Sequence, residues 1–137
     1  MKKKLLFLCT GNSCRSQIAE AIAKKEINNN ILIESAGTNP EPVNAYAIKV
    51  LQDIGIDISG NISKKIEFND IVKYDLIITL CRDAKDNCPV INLPTKHIHW
   101  DIEDPAKFKG TDNQINLKFT KIRDTIYHHI NLLKEEI

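Results

Sequence analysis

The sequence has no excess of charge of either sign, no long apolar run and no internal repeat. Its 19 Lys and Arg offset 18 Asp and Glu, leaving a formal charge of +1 over 137 residues. That balance gives no reason to expect a nucleic-acid partner or an acidic membrane surface, which select basic patches. No stretch approaches the roughly 20 apolar residues that cross a bilayer. Lys2-Lys3-Lys4 looks like the start of a secretory leader, but the apolar run behind it ends at Cys9, where Thr10-Gly11-Asn12 interrupts it. A leader needs roughly 7–15 apolar residues before its cleavage site. The run therefore reads as a buried strand, and a cytosolic location is expected. Low-complexity and linker-like stretches are also missing, and the length suits one domain, 1–137, with a single core.

What is present alternates between strand and helix. Leu5 to Cys9 is continuously apolar, as in a strand covered on both faces. Residues Ser16 to Ile27 are strong helix formers, with Ile18, Ala21 and Ile22 at helical spacing. Asn28-Asn29-Asn30 ends that helix, and Ile31 to Ser35 reads as a second strand. Pro42 is expected to open a second helix, with Val43, Ala47, Val50, Leu51 and Ile54 on one side and Gly55 as its stop. Asp75 to Leu80 is a third strand and His97 to Trp100 a short fourth. From Ile115 onward, Phe119, Ile122, Ile126, Ile130 and Leu133 form an apolar stripe of 3.6-residue period. Such alternation predicts βαβ units: a three-layer α/β/α domain with a small, mostly parallel four-stranded sheet. Ligands of such sheets bind outside the carboxyl ends of the strands. Cys9-Thr10-Gly11, Ser35-Ala36-Gly37, Cys81 and Asp101 to Asp104 each follow a predicted strand, so they converge on one rim.

The segment Cys9-Thr10-Gly11-Asn12-Ser13-Cys14-Arg15-Ser16 lies between the first strand and the first helix. A loop there can curl its N–H groups around an oxyanion, with the positive end of the helix behind it. Gly11 is read as the residue that supplies unusual backbone angles. Arg15 can grip two oxygens of a tetrahedral anion. A thiol at the edge of such a positive field ionises more readily than the ordinary value of about 8.5 allows. Ser16 can donate to the Cys9 sulfur. The loop thus holds an oxyanion and aims a nucleophile at its central atom. It is not a nucleotide-binding Walker loop, whose G-x-x-x-x-G-K-[ST] pattern is absent.

In a reducing cytosol the four cysteines, Cys9, Cys14, Cys81 and Cys88, point to catalysis, redox work or metal binding rather than structural disulfides. A structural zinc site favours tight C-x₂₋₄-C pairs, whereas six residues separate Cys81 from Cys88, so no metal centre is expected. His97, His99, His128 and His129 show no ligand spacing with another candidate, and Trp100 reads as a core or rim residue.

The C-x₅-R-S loop after the first strand resembles that of the low-molecular-weight tyrosine phosphatases. The fuller CTGNSCRSQIAEA is similar to the thioredoxin-coupled arsenate reductases built on the same fold. The likeness continues through ESAGT at 34–38, GIDIS at 55–59, TLCRDAKDNCP at 79–89 and HWDIEDP at 99–105. It implies reduction of arsenate to arsenite with no added cofactor. Cys9 forms a covalent arsenic adduct and Cys81 attacks Cys9. A Cys9–Cys81 disulfide results, then a Cys81–Cys88 disulfide that thioredoxin reduces. The resemblance assigns oxyanion binding to Thr10, Gly11, Asn12, Ser13, Cys14, Arg15 and Ser16, and the general acid to Asp104. From the residues alone Asp101 and Glu103 remain alternatives to Asp104. Cys14 reads as structural, with an off-pathway trap for Cys9 as the alternative.

Some members of that group bind potassium through positions matching Asn12, Glu20 and Ser35 together with an acid. The acid's position is Lys64 here. Its ammonium is expected to stand against Glu20 in the ion's place, leaving activity indifferent to potassium. Two other functions stay open: a low-molecular-weight tyrosine phosphatase, and a silent module that only captures oxyanions. A monomer with arsenate and thioredoxin as partners is the expectation.

Overall fold

The structure, a computed structural model, describes residues 3–80 and 95–137. Cys81 and Cys88, and with them both expected disulfides, lie outside the described residues. Four strands form one sheet: β1 (Lys3–Cys9), β2 (Ile31–Gly37), β3 (Leu76–Thr79) and β4 (Lys96–His99), in the order β2-β1-β3-β4 with every pairing parallel. On β1 the run Leu5, Leu6, Phe7, Leu8 is buried on both faces. Register aligns Cys9 with Gly37, Leu8 with Thr79 and Thr79 with His99. The carboxyl ends of all four strands therefore finish at nearly one level, which creates the expected rim.

Alternation along β1 splits the core. Leu5 and Phe7 join α1 (Arg15–Glu26), α2 (Ala45–Gln52) and α3 (Asp112–Lys134) in the larger cluster. Leu6 and Leu8 face a smaller cluster with Ala36, Ile71 and Ile77, capped by Ile66 and Tyr74. All three α-helices thus share one face. Among the described residues the opposite layer is a 3₁₀ turn, Phe68–Lys73. Phe119, Ile122, Ile126, Ile130 and Leu133 are all buried, as the stripe on α3 predicts; full burial of each such side chain contributes roughly 1.5–3 kcal/mol. Trp100 is buried between Phe7 and the ring of His129, with centroids at 5.8 and 4.9 Å.

The second helix differs from the expectation. It begins at Ala45, capped by the Asn44 side chain that accepts from the Tyr46 N–H at 2.8 Å, and Pro42 lies outside it. The reason is that contacts with the loop hold the preceding segment extended. The N–H groups of Asn39, Glu41 and Asn44 donate to the carbonyls of Thr10, Gly11 and Ser13 at 2.8, 2.9 and 2.9 Å. Asn44, held to the loop in this way, is extended with φ of −70° and ψ of 134°, and an extended residue cannot lie inside a helix, so the first turn forms only after it. Gly55, with φ of 81°, does end the helix. α3 starts three residues before Ile115, because Thr111 and Gln114 form a reciprocal capping box.

Candidate active site

The loop between β1 and α1 is held from outside. Its carbonyls at Cys9, Thr10, Gly11 and Ser13 accept from the N–H groups of Thr38, Asn39, Glu41 and Asn44, and that of Asn12 accepts from Ser63 Oγ at 2.7 Å. A planar trans peptide points each N–H opposite to the preceding carbonyl. Five outward carbonyls therefore turn the N–H groups of Thr10 to Cys14 inward, and Asn12 N donates to Cys9 Sγ at 3.3 Å. The loop thus has the backbone arrangement of a nest, with its N–H groups gathered around the Cys9 sulfur.

Gly11 does not have its expected role, and Gly37 has one that was not assigned. The left-handed residue of the loop is Asn12, with φ of 49°, and not Gly11; asparagine tolerates that region better than most residues. Gly37, at the end of β2, is where absence of a side chain matters. A Cβ there would lie 2.4 Å from Thr10 O and 2.8 Å from Asn12 N.

Cys9 is buried at the floor of a cleft of about 390 Å³. Its Sγ lies 2.8 Å from Ser16 Oγ. Thr10, Gly11, Ser13, Cys14 and Arg15 line the cleft from the loop, with Asn39 and Glu41 on one side and Asp104, Ala106 and Lys107 on the other. None of these described lining residues is aromatic. Arg15 is buried and donates through Nη1 to Ile102 O at 2.9 Å, while Nη2 stands 3.7 Å from Asp104 Oδ2. Among the three acids left open, Asp104 lines the cleft. Its carboxylate caps the 3₁₀ turn Pro105–Lys107 by accepting from Ala106 N at 3.0 Å. Glu103 instead pairs with Lys118 at 2.6 Å, and Asp101 is not part of the lining.

Beneath the sulfur runs a buried polar network that sequence reading found only in part. Asn12 Nδ2 donates to Ser16 Oγ at 2.8 Å and to Ser35 Oγ at 2.9 Å, and Ser35 donates to Glu20. Gln17 Nε2 and the Lys64 N–H donate to Asn12 Oδ1 at 3.1 and 2.9 Å. The residues expected around a cation, Asn12, Glu20 and Ser35, are therefore adjacent. The ammonium against Glu20 belongs to Lys24, at 2.5 Å, where Lys64 was expected; Lys64 enters through its backbone. Gln17, Lys24, Asn61, Ser63 and Gly37 had no assigned role. One signal for the network was visible: Ser16, Glu20 and Lys24 recur every four residues along α1, a polar stripe on one face of a buried helix. Only Thr38 Oγ1 and Asn116 Oδ1 among the described residues are buried without a partner, so the network is satisfied throughout.

Cys14, the loop residue at the N-cap position of α1, is buried and gives the helix no side-chain cap. Burial pushes its thiol from the ordinary 9.0 up to about 12, with a hydrogen bond from Ser13 opposing. His97 and His99 both bond Thr79 Oγ1, at 2.9 and 2.7 Å, and none of the four histidines lines the cleft. Among the described residues no His, Cys, Asp and Glu gather as a metal site, and no helix is long and apolar enough to cross a membrane.

The family described as low molecular weight phosphotyrosine protein phosphatase matches residues 4–137. An arsenate reductase of Halalkalibacterium halodurans is 42% identical over 134 residues, which cover 98% of this chain and 96% of that protein. A solved arsenate reductase in its phosphate-binding state matches with a TM-score of 0.80 at 34% identity, covering 98% of each chain. An arginine phosphatase from Geobacillus stearothermophilus shares the fold, with a TM-score of 0.76 at 21% identity over 98% of this chain and 92% of that one.

Proposed function

The chain belongs to the low-molecular-weight phosphotyrosine protein phosphatase family, and on that premise we propose that it reduces arsenate to arsenite through Cys9, Cys81 and Cys88. Arsenate sits in the loop with its oxygens on the inward N–H groups and Arg15. The Cys9 thiolate attacks arsenic, Asp104 gives its proton to the departing oxygen, and water leaves from a Cys9–arsenic adduct. The Cys81 thiolate then attacks Cys9 Sγ. The sulfur–arsenic bonding pair passes to arsenic, which departs as arsenite while a Cys9–Cys81 disulfide forms. Cys88 attacks Cys81 and frees Cys9, and the dithiol of thioredoxin reduces the Cys81–Cys88 disulfide. The two electrons come from thiols, so no cofactor is needed. We read the 137 residues as one domain acting as a cytosolic monomer, where reducing conditions keep such thiols available.

The observation that carries this reading is the position of the chain just before Cys81. Leu80 N donates to Leu8 O at 3.0 Å on the neighbouring strand. The chain therefore enters the segment holding both further cysteines one strand away from the nucleophile. A phosphatase needs only water at that point and has no use for the pair. The cleft walls also lack an aromatic ring to stack against a phenyl phosphate among the described residues. Family membership and the shared loop nevertheless support weak hydrolysis of small aryl phosphates.

Arsenate-dependent NADPH consumption, coupled through thioredoxin and its reductase, is the test. Turnover is expected in the native protein and is abolished by Cys81→Ser, with aryl phosphate hydrolysis retained. Continued catalytic arsenate reduction by Cys81→Ser overturns the relay.

A further inference from the structure

The contact between Ser16 Oγ and Cys9 Sγ, 2.8 Å long, can run in either direction. A hydroxyl has one proton, so the direction decides whether the sulfur is offered a donor, which a thiolate needs, or a lone pair, which opposes it. Asn12 settles the direction locally. Its Nδ2 spends both hydrogens, on Ser16 Oγ at 2.8 Å and Ser35 Oγ at 2.9 Å. Ser35 sends its own proton to Glu20. Ser16, already an acceptor, has its proton left for Cys9.

That arrangement depends on which way round the Asn12 amide sits. Rotated by half a turn, it would present Oδ1 to both serines, and Ser16 could give its proton to Asn12 instead. Two donors hold Oδ1 in place: the Lys64 N–H at 2.9 Å and Gln17 Nε2 at 3.1 Å. Gln17 is itself an amide and is oriented from the surface, where Asn61 Nδ2 donates to Gln17 Oε1 at 3.1 Å. Asn12 and Gln17 are 0% and 1% exposed, so water cannot substitute for a lost donor. We infer that Gln17 is a positioning residue that fixes the polarity of the Asn61–Gln17–Asn12–Ser16–Cys9 chain and so keeps Ser16 donating to the nucleophile. It touches neither substrate nor sulfur. The inference rests on Cys9 being the nucleophile.

Gln17→Glu is the near-isosteric test, because it replaces the donor at Nε2 with an acceptor oxygen facing Asn12 Oδ1. The readout is the pH dependence of Cys9 alkylation by iodoacetamide, followed on the Cys9-containing peptide by mass spectrometry. The half-maximal pH is expected to rise by about one unit in Gln17→Glu, by a comparable amount in Ser16→Ala, and by less in Gln17→Met. With arsenate, kcat falls about tenfold near neutral pH while KM stays within about threefold, since Arg15 and the loop N–H groups are untouched. If Gln17→Glu does not fold, Asn61→Asp carries the test from an exposed position, with a rise in the same direction. Folded variants at Gln17 and Asn61 whose alkylation profile matches the native one overturn the inference, as does an unmoved profile in Ser16→Ala. Alkylation requires no arsenate, so failure of the proposed reaction leaves this test standing.

Discussion

Cys14 and Cys9 are five residues apart in one loop, both free and both buried, yet the fold uses them differently. Cys9 ends a strand with two polar contacts at its sulfur, whereas Cys14 belongs to the apolar cluster and its thiol is pushed up to about 12. In the unfolded chain that thiol ionises near 9.0, so the unfolded state loses its proton first as pH rises. The contribution of Cys14 to stability is therefore full below pH 9 and is lost progressively as pH rises toward about 12. Urea unfolding at pH 8 and 10.5 should show the native protein losing about 2 kcal/mol more than Cys14→Ala does. Equal losses would mean that the thiol is not kept neutral by the fold. At Glu20 the charge partner is Lys24, one helical turn on. Turnover should accordingly stay within about twofold when sodium replaces potassium, because the carboxylate already has a cation beside it. A severalfold selective stimulation by potassium would contradict that.

At the scale of elements, the loop owes its shape less to its own residues than to what grips it. Strand β2 ends at Gly37, whose N–H and C=O pair with Lys64 O and Ile66 N at 2.8 and 2.9 Å, fixing it against the loop. Because the atoms a Cβ would strike are backbone, they cannot rotate away. Gly37→Ala is expected to cost about 3 kcal/mol, at the upper end for overpacking, and to lower kcat/KM by more than about tenfold as the nest is displaced. Gly60→Ala is the control, since a Cβ at Gly60 meets nothing within 4 Å. Calorimetry and steady-state kinetics on both variants check this; an unperturbed Gly37→Ala would remove the close approach from the account. The elements themselves were largely legible. β1 and α3 read cleanly because Leu5 to Leu8 and the Phe119-to-Leu133 stripe carry the period of their element. α2 starts at Ala45 and not at Pro42 because Asn39, Glu41 and Asn44 are tied to a loop some thirty residues earlier, which holds Asn44 extended, a contact no local pattern records.

Over the whole molecule, parallel pairing in the order β2-β1-β3-β4 brings Cys9, Gly37, Thr79 and His99 to one edge. Arg15 and Asp104, 89 positions apart in the chain, meet there at 3.7 Å. The sequence by itself determined the fold class and showed the loop with its cysteine and arginine. Those depend on apolar periodicity and on the spacing of a few residues near one another, both of which are written locally. It also supplied three neighbouring acids, of which the resemblance singled out Asp104, while the residues alone left Asp101 and Glu103 as alternatives. Tertiary structure separates them in space, with Asp104 lining the cleft and Glu103 paired with Lys118. It likewise decided that Lys24 and not Lys64 faces Glu20, that Asn12 and not Gly11 takes the left-handed turn, and that Gln17 faces inward to hold Asn12. Each of these depends on the direction a side chain takes once distant segments are packed together, and direction is a property of the packed chain rather than of its order.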